Sequence, residues 1–244
     1  MNRDGSRVPR LNGRRSTMIL RLVLVCVVWL PTVMAGCAQQ SWESAMEAGE
    51  ATMRSGQYAD AERIFTQAVK KAEQFGLHDR RVAVTLSRLA QAYTAQEKYV
   101  EAEPVYLQAL KIYQDVHGED HVDVAATLNN LGVLHRKHGQ FVDAQALLAR
   151  ALKIKEKIFG PDDLEVALGL SNLAAVYSAQ NQFDPAAQLL QRVVAIREKR
   201  LGPKHPDVAK ALEEYAALLR KSHRDADAMN IEARAQAIRT KPQP

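Results

Sequence analysis

The 244-residue chain has only two cysteines, Cys26 and Cys37, both near its start. With no third partner further along, neither a disulfide framework nor a cysteine-rich zinc site can be built in the body of the protein. Aromatic residues make up 6% of the chain, and no apolar run approaches the roughly 20 residues of a stable membrane-crossing helix. Excess charge is missing too. The formal charge of +5 arises in the first 36 residues, where Arg3, Arg7, Arg10, Arg14, Arg15 and Arg21 face Asp4 alone. Of 33 basic and 28 acidic residues, 27 of each are left over residues 37–244. A protein that grips phosphate backbones carries a basic excess, so nucleic acid is not an expected partner.

Catalytic motifs are absent as well. The sequence contains no glycine-rich phosphate loop, no Gly-x-Ser-x-Gly elbow and no His-Glu-x-x-His helix, so neither an enzyme nor a cofactor site is expected. Two histidine pairs could hold a metal only if a carboxylate joined them: His117 with His121, and His135 with His138. The plainer reading is that His117, His121 and His205 are loop residues and that His135 fills the slot held elsewhere by Tyr93 and Tyr177. No metal site is therefore expected.

What is present begins with an address. The arginine-rich start is followed by an apolar run from Leu22 to Leu30, Pro31, and then Met34-Ala35-Gly36-Cys37. This is the layout of a secretory signal peptide, with an apolar stretch too short to span a bilayer as a stable helix. The last four residues resemble the lipobox of bacterial lipoproteins, with methionine where leucine is usual. That resemblance implies lipidation of Cys37 after cleavage, a membrane anchor of several acyl chains, and a short tether over residues 37–41. Ala38 in second place implies sorting to the outer membrane, facing the periplasm. An ordinary cleavage site beside a chance cysteine is the alternative.

The remainder is periodic. Val82, Val124, Val166 and Val208 stand 42 residues apart, as do Leu86, Leu128, Leu170 and Leu212, and Gly76, Gly118, Gly160 and Gly202. Within a unit, Leu128, Leu131, Gly132 and His135 fall at helical spacing, and Phe141, Ala144, Leu148 and Ala151 mark a second helix. The glycines, followed by Pro161 and Pro203, end it. Each unit thus reads as a helical hairpin. Ordering one costs roughly 60 kcal/mol at about 1.5 kcal/mol per residue, which requires on the order of 2,500 Å² of apolar burial. One hairpin cannot supply that, so neighbours must stack as a solenoid.

These residues resemble tetratricopeptide repeats (TPR) of the longer kinesin-light-chain type, notably Leu128-Asn129-Asn130-Leu131-Gly132 and Leu201-Gly202-Pro203-Lys204-His205-Pro206-Asp207-Val208-Ala209. The resemblance implies an all-α superhelical solenoid of five hairpins over residues 42–240, with repeats at about 42–81, 82–123, 124–165, 166–207 and 208–240. It also implies a protein-binding adaptor at the bacterial envelope that takes an unidentified protein or peptide partner. A fixed structural subunit of a secretion or pilus assembly is the runner-up, and an enzyme or ligand carrier a more distant third. The first and last units depart from the pattern and read as caps that face water.

In such repeats the side of the first helix about 100° from the core face lines a concave groove. Here that side carries Asn129, Val133 and Arg136, with Ser87, Gln91 and Thr94, then Ser171, Ala175 and Ser178, then Glu213, Ala217 and Arg220, in the other units. Charge is concentrated in Arg136-Lys137 and Arg220-Lys221, two units apart, which suits an acidic segment or a C-terminal carboxylate. The plainer reading is that cations near a helix end are favoured by its dipole, for about 0.3–1 kcal/mol.

Overall fold

The computed structural model describes residue 36 and residues 38–240; the leader and the candidate lipidation site Cys37 lie outside the described residues. Ten α-helices follow one another among the described residues. They are α1 (38–54), α2 (Tyr58–Ala72), α3 (Arg80–Ala95), α4 (Tyr99–His117), α5 (Val122–Lys137), α6 (Phe141–Phe159), α7 (Leu164–Ala179), α8 (Phe183–Leu201), α9 (Pro206–Lys221) and α10 (Asp225–Arg239), with one 3-10 turn at Glu73–Phe75. They pair as five hairpins, each odd-numbered helix with the next, and each second helix also packs on the first helix of the following hairpin. The fold is an all-α superhelical solenoid.

The expected core face is buried as the 42-residue period requires. Leu128, Leu131, Leu170 and Leu212 are at most 1% exposed, and His135 is 7% exposed. Where the second helix comes closest, the first helix gives up its side chain. A Cβ on Gly132 would meet Leu148 at 2.6 Å and the Ala144 carbonyl oxygen at 3.3 Å, and one on Gly49 would meet the Phe65 ring at 2.4 Å. Glycine in mid-helix is otherwise unfavourable, so close packing accounts for it here.

The inter-hairpin glycines end the second helices, but not as simple left-handed caps. Gly118 and Gly160 have φ of 81° and 85° but ψ of 176° and 161°. That is the positive-φ extended region, essentially reserved for glycine. The chain then re-enters a helix through a side-chain cap: Asp79, His121, Asp163 and His205 each accept the backbone N–H two residues on, at 2.8, 3.2, 2.9 and 3.1 Å. Of the three histidines expected in loops, His121 and His205 are therefore helix caps standing in for aspartate, whereas His117 is not a loop residue but the last residue of α4.

Neighbouring hairpins are stitched with their own register. Pairs along successive first helices are separated by 43 residues, one more than the period: Trp42 with Thr85, Arg80 with Asp123, Asn129 with Asn172, and Ser171 with Glu214. Loop acids reach second-helix cations 37 residues on, as in Asp120 with Lys157 and Asp163 with Arg200. Such exposed pairs contribute little each, about 0–1 kcal/mol, but the first-helix pairs recur at all four joints and the loop pairs at the two central ones, and together they favour one alignment of neighbouring hairpins.

One boundary is corrected. The first helix already includes 38–41, so four of the five residues expected as a tether before the repeats are helical, Cys37 lying outside the described residues. At 1.5 Å per helical residue they reach less than half as far as an extended chain would.

Candidate functional site

The groove is built from the first helices of successive hairpins. One hollow of about 480 Å³ is lined by Arg136 of α5, by Ser171, Asn172, Ala175 and Ser178 of α7, and by Glu214, Ala217 and Lys221 of α9, with Leu190 of α8 also contributing. Ser171 and Ser178 stand seven residues apart on one face, about 10 Å along the axis. A second hollow of about 190 Å³ lies one hairpin earlier, between Gln91, Thr94 and Ala95 of α3 and Asn130, Val133 and Lys137 of α5, with Tyr106 beside them. Burial pushes the Tyr106 phenol up, so it stays a neutral hydrogen-bonding group.

Small and amide side chains dominate both walls. That leaves room for another backbone to come close, with hydroxyl and amide groups to read it. Asn129 does not point into a hollow: its Oδ1 accepts from Asn172 Nδ2 at 2.8 Å, tying α5 to α7. Ser171 donates to Glu214 at 3.3 Å across the next joint.

The two basic pairs are not equivalent. Arg220 is held by Glu232 of α10, with Nε and Nη2 both at 2.6 Å from its carboxylate, and stands 3.5 Å from Asp225. Hydrogen bonding by that guanidinium keeps the Glu232 carboxyl below its usual range. Glu213 is likewise taken by Arg239 at 2.5 Å. Among the described residues no first helix follows the last hairpin, and α10 supplies partners at these positions. Arg136 keeps its Nε buried without a hydrogen-bond partner, and Lys221 and Lys137 are exposed. Among the described residues none of these three stands in an ion pair, in contrast to Arg220. The structure thus brings Arg136, Ser171, Ser178 and Lys221 to one hollow, and Val133 with Lys137 to the next. It ties Asn129 into a lateral bond and takes Arg220 out of the groove.

Asn130, Asn172 and Glu214 were not singled out by sequence. A first helix flanks two hollows, so residues i and i+1 of the exposed stripe face opposite neighbours, and both belong to the lining. The 43-residue step is the signal that would have found them.

A run of helical hairpins with such a face defines the class of helical-repeat scaffolds. The family model described as tetratricopeptide repeat matches residues 43–115, 81–157 and 139–199. The chain belongs to the tetratricopeptide repeat family, and its repeats are of the kinesin-light-chain-like type. A Podosopora anserina kinesin light chain structure with nearly identical TPR-like repeats is similar at a TM-score of 0.72 and 25% identity, covering 82% of this chain and 96% of that one. BtubC from P. vanneervenii is similar at 0.70 and 22% identity, over 86% of this chain and 92% of that one. MamA from Desulfovibrio magneticus RS-1 shares the fold at 0.58 and 15% identity, over 83% and 97%. No curated protein matches the chain. Repeats of this kind are protein-interaction scaffolds.

Proposed function

We propose that the protein is a non-enzymatic adaptor, held to the bacterial envelope through a lipidated Cys37, that captures an extended acidic segment of a partner protein in the groove of its central hairpins. One observation carries the groove assignment: Arg136 and Lys221 line one hollow and Lys137 the next, among mostly small and amide side chains and in no ion pair among the described residues even though Glu214 lines the first hollow, while Arg220, which α10 reaches, is neutralised by Glu232. A cation with nothing to pair with inside the molecule is the one available to a ligand.

Replacing Arg136 and Lys137 together by alanine is expected to weaken partner capture about tenfold or more, because charge-assisted hydrogen bonds of about 1.5–3 kcal/mol are lost. The helical signal and melting temperature should change little. Capture by the parent protein should also fall with added salt. Binding that ignores both the substitutions and the ionic strength would place the contact surface elsewhere.

The anchor rests on the sequence Met34-Ala35-Gly36-Cys37 and on its place after an apolar run. Among the described residues no helix is long and apolar enough to cross a membrane. Several acyl chains, at roughly 0.8 kcal/mol per buried methylene, would hold the protein to a bilayer. Cys37→Ser is expected to move the protein from the detergent phase to the aqueous phase, or to leave an uncleaved precursor visible by mass. Unchanged partitioning with an unchanged mass would remove the lipid anchor from the account.

A further inference from the structure

The joint between the second and third hairpins gathers four of the seven histidines of the chain, His117, His121, His135 and His138. At the loop edge of that joint, the side chains of His117, His121 and Asp123 bring one ligand atom each within 4.8 Å of one another. His117 is the last residue of α4, His121 caps α5, and Asp123 lies in the first turn of α5. Nε2 of His117 stands 3.6 Å and Nδ1 of His121 stands 3.7 Å from the same oxygen, Oδ2 of Asp123.

We propose that these three residues form a binding site for a divalent first-row transition metal such as Zn²⁺, placed at the seam of two repeats. Two imidazoles and one carboxylate are ligands that suit such ions, and three protein ligands leave a position for water. Metal–ligand bonds of about 2.0–2.2 Å place neighbouring donors roughly 3.3–3.6 Å apart in a tetrahedral site, so two of the three edges are nearly at that length. The shielding of one atom of His117 supplies an independent reason. Its Nε2 is screened from solvent and has no hydrogen-bond partner although the side chain is 23% exposed, so in the tautomer protonated on Nδ1 it offers an unsatisfied lone pair to an ion.

The surroundings support the ligands in different ways. Arg80 of α3 holds Asp123 from the previous hairpin, with Nε 3.0 Å from Oδ2 and Nη2 3.4 Å from Oδ1. A carboxylate has about four lone-pair sites, so Arg80 orients it in the manner of the outer partners that fix metal ligands while leaving sites open. Tyr113 stacks on His117 at 6.3 Å, and burial pushes its phenol up to about 12, so it contributes no charge.

Two features oppose tight binding. The rings of His117 and His121 are stacked, with centroids 4.0 Å apart and planes 17° from parallel, so their in-plane lone pairs must turn to converge. Nδ1 of His121 is already engaged as the cap of α5. Both arrangements must yield to the ion, which predicts a weaker site than a preformed one, whose occupancy reports on the joint.

The last hairpin contains an internal control. His205 and Asp207 repeat the cap and the acid, 3.7 Å apart, but Leu201 stands where the period places the equivalent of His117. The test is titration of the full chain with Co²⁺ and Zn²⁺ in parallel, followed by visible absorption and calorimetry, on the parent protein, His117→Ala, His121→Asn and His205→Ala. Asparagine at position 121 preserves the helix cap, so a loss there reports on the ligand. The expected result is one equivalent bound, weakened about tenfold or more by either His117→Ala or His121→Asn and unchanged by His205→Ala, with circular dichroism equal in all four. Absence of binding, or binding equally strong in the first two variants, would overturn the site.

Discussion

Leu131→Ala is expected to destabilise the protein by about 2–5 kcal/mol, measured by denaturant unfolding, because the side chain is fully buried in the middle of the solenoid. The loss combines the transfer free energy of the removed carbons with the cavity that remains. Leu131 lies in a core cluster that takes in residues of α3, α4, α5 and α6, so no single element can move inward to refill the space without disturbing another. Leu173, one unit on and 6% exposed, should behave alike. A cost below about 1 kcal/mol at both would mean that the hairpins stack in a different register. The same truncation at Phe65 in the first hairpin should be read differently, since a terminal unit can open locally and cap the observed cost at the free energy of that opening.

Gly132→Val should cost about 1–3 kcal/mol, although valine has the better helix propensity. Its Cβ alone would fall 2.6 Å from Cγ of Leu148, with the Ala144 carbonyl behind, and the γ-methyl groups need further room. Relief has to come from separating α5 and α6 or from forcing Leu148 off its rotamer. If that is the cause, adding Leu148→Ala should give a double variant less destabilised than the sum of the two single changes by about 1 kcal/mol or more. Additive losses would mean that the glycine is kept for another reason. The second, fourth and fifth hairpins carry Ala90, Ala174 and Ala216 at this position, while the first has Gly49 against Phe65, and a larger closest approach between the helices of the three alanine hairpins is the expected corollary.

Most of the fold could be read from the 42-residue period. Val124, Leu128 and Leu131 lie where a first helix must bury them, and Ala144, Leu148 and Ala151 where a second must. The glycines placed the inter-hairpin loops but not their conformation, because positive φ alone does not determine ψ. The groove face was legible to within one residue. Ser171, Ser178, Val133 and Arg136 were identified from their angle to the core stripe and do line hollows, whereas Asn130 and Asn172 were missed because a single-helix wheel ignores the neighbour on the other side.

Arg220 shows the limit of periodic reasoning more sharply. By period it is the equivalent of Arg136, yet Glu232 holds it. That pairing depends on Glu232, which stands where the period places Leu148 and Leu190. Asp123 was visible two residues after His121, but its role was not. The contact with Arg80 crosses two hairpins at the 43-residue step, and the approach of His117 depends on how α4 ends.

The groove itself is tested most directly by site-specific photocrosslinking in intact cells. A short-lived photoreactive side chain would be placed at Ala217, which lines the larger hollow and is exposed, and in a separate variant at Gln188, exposed on the second helix α8. The account predicts one dominant adduct from Ala217, lost when Arg136 and Lys137 are replaced by alanine, and none from Gln188. The same adduct from Gln188, with none from Ala217, would contradict it.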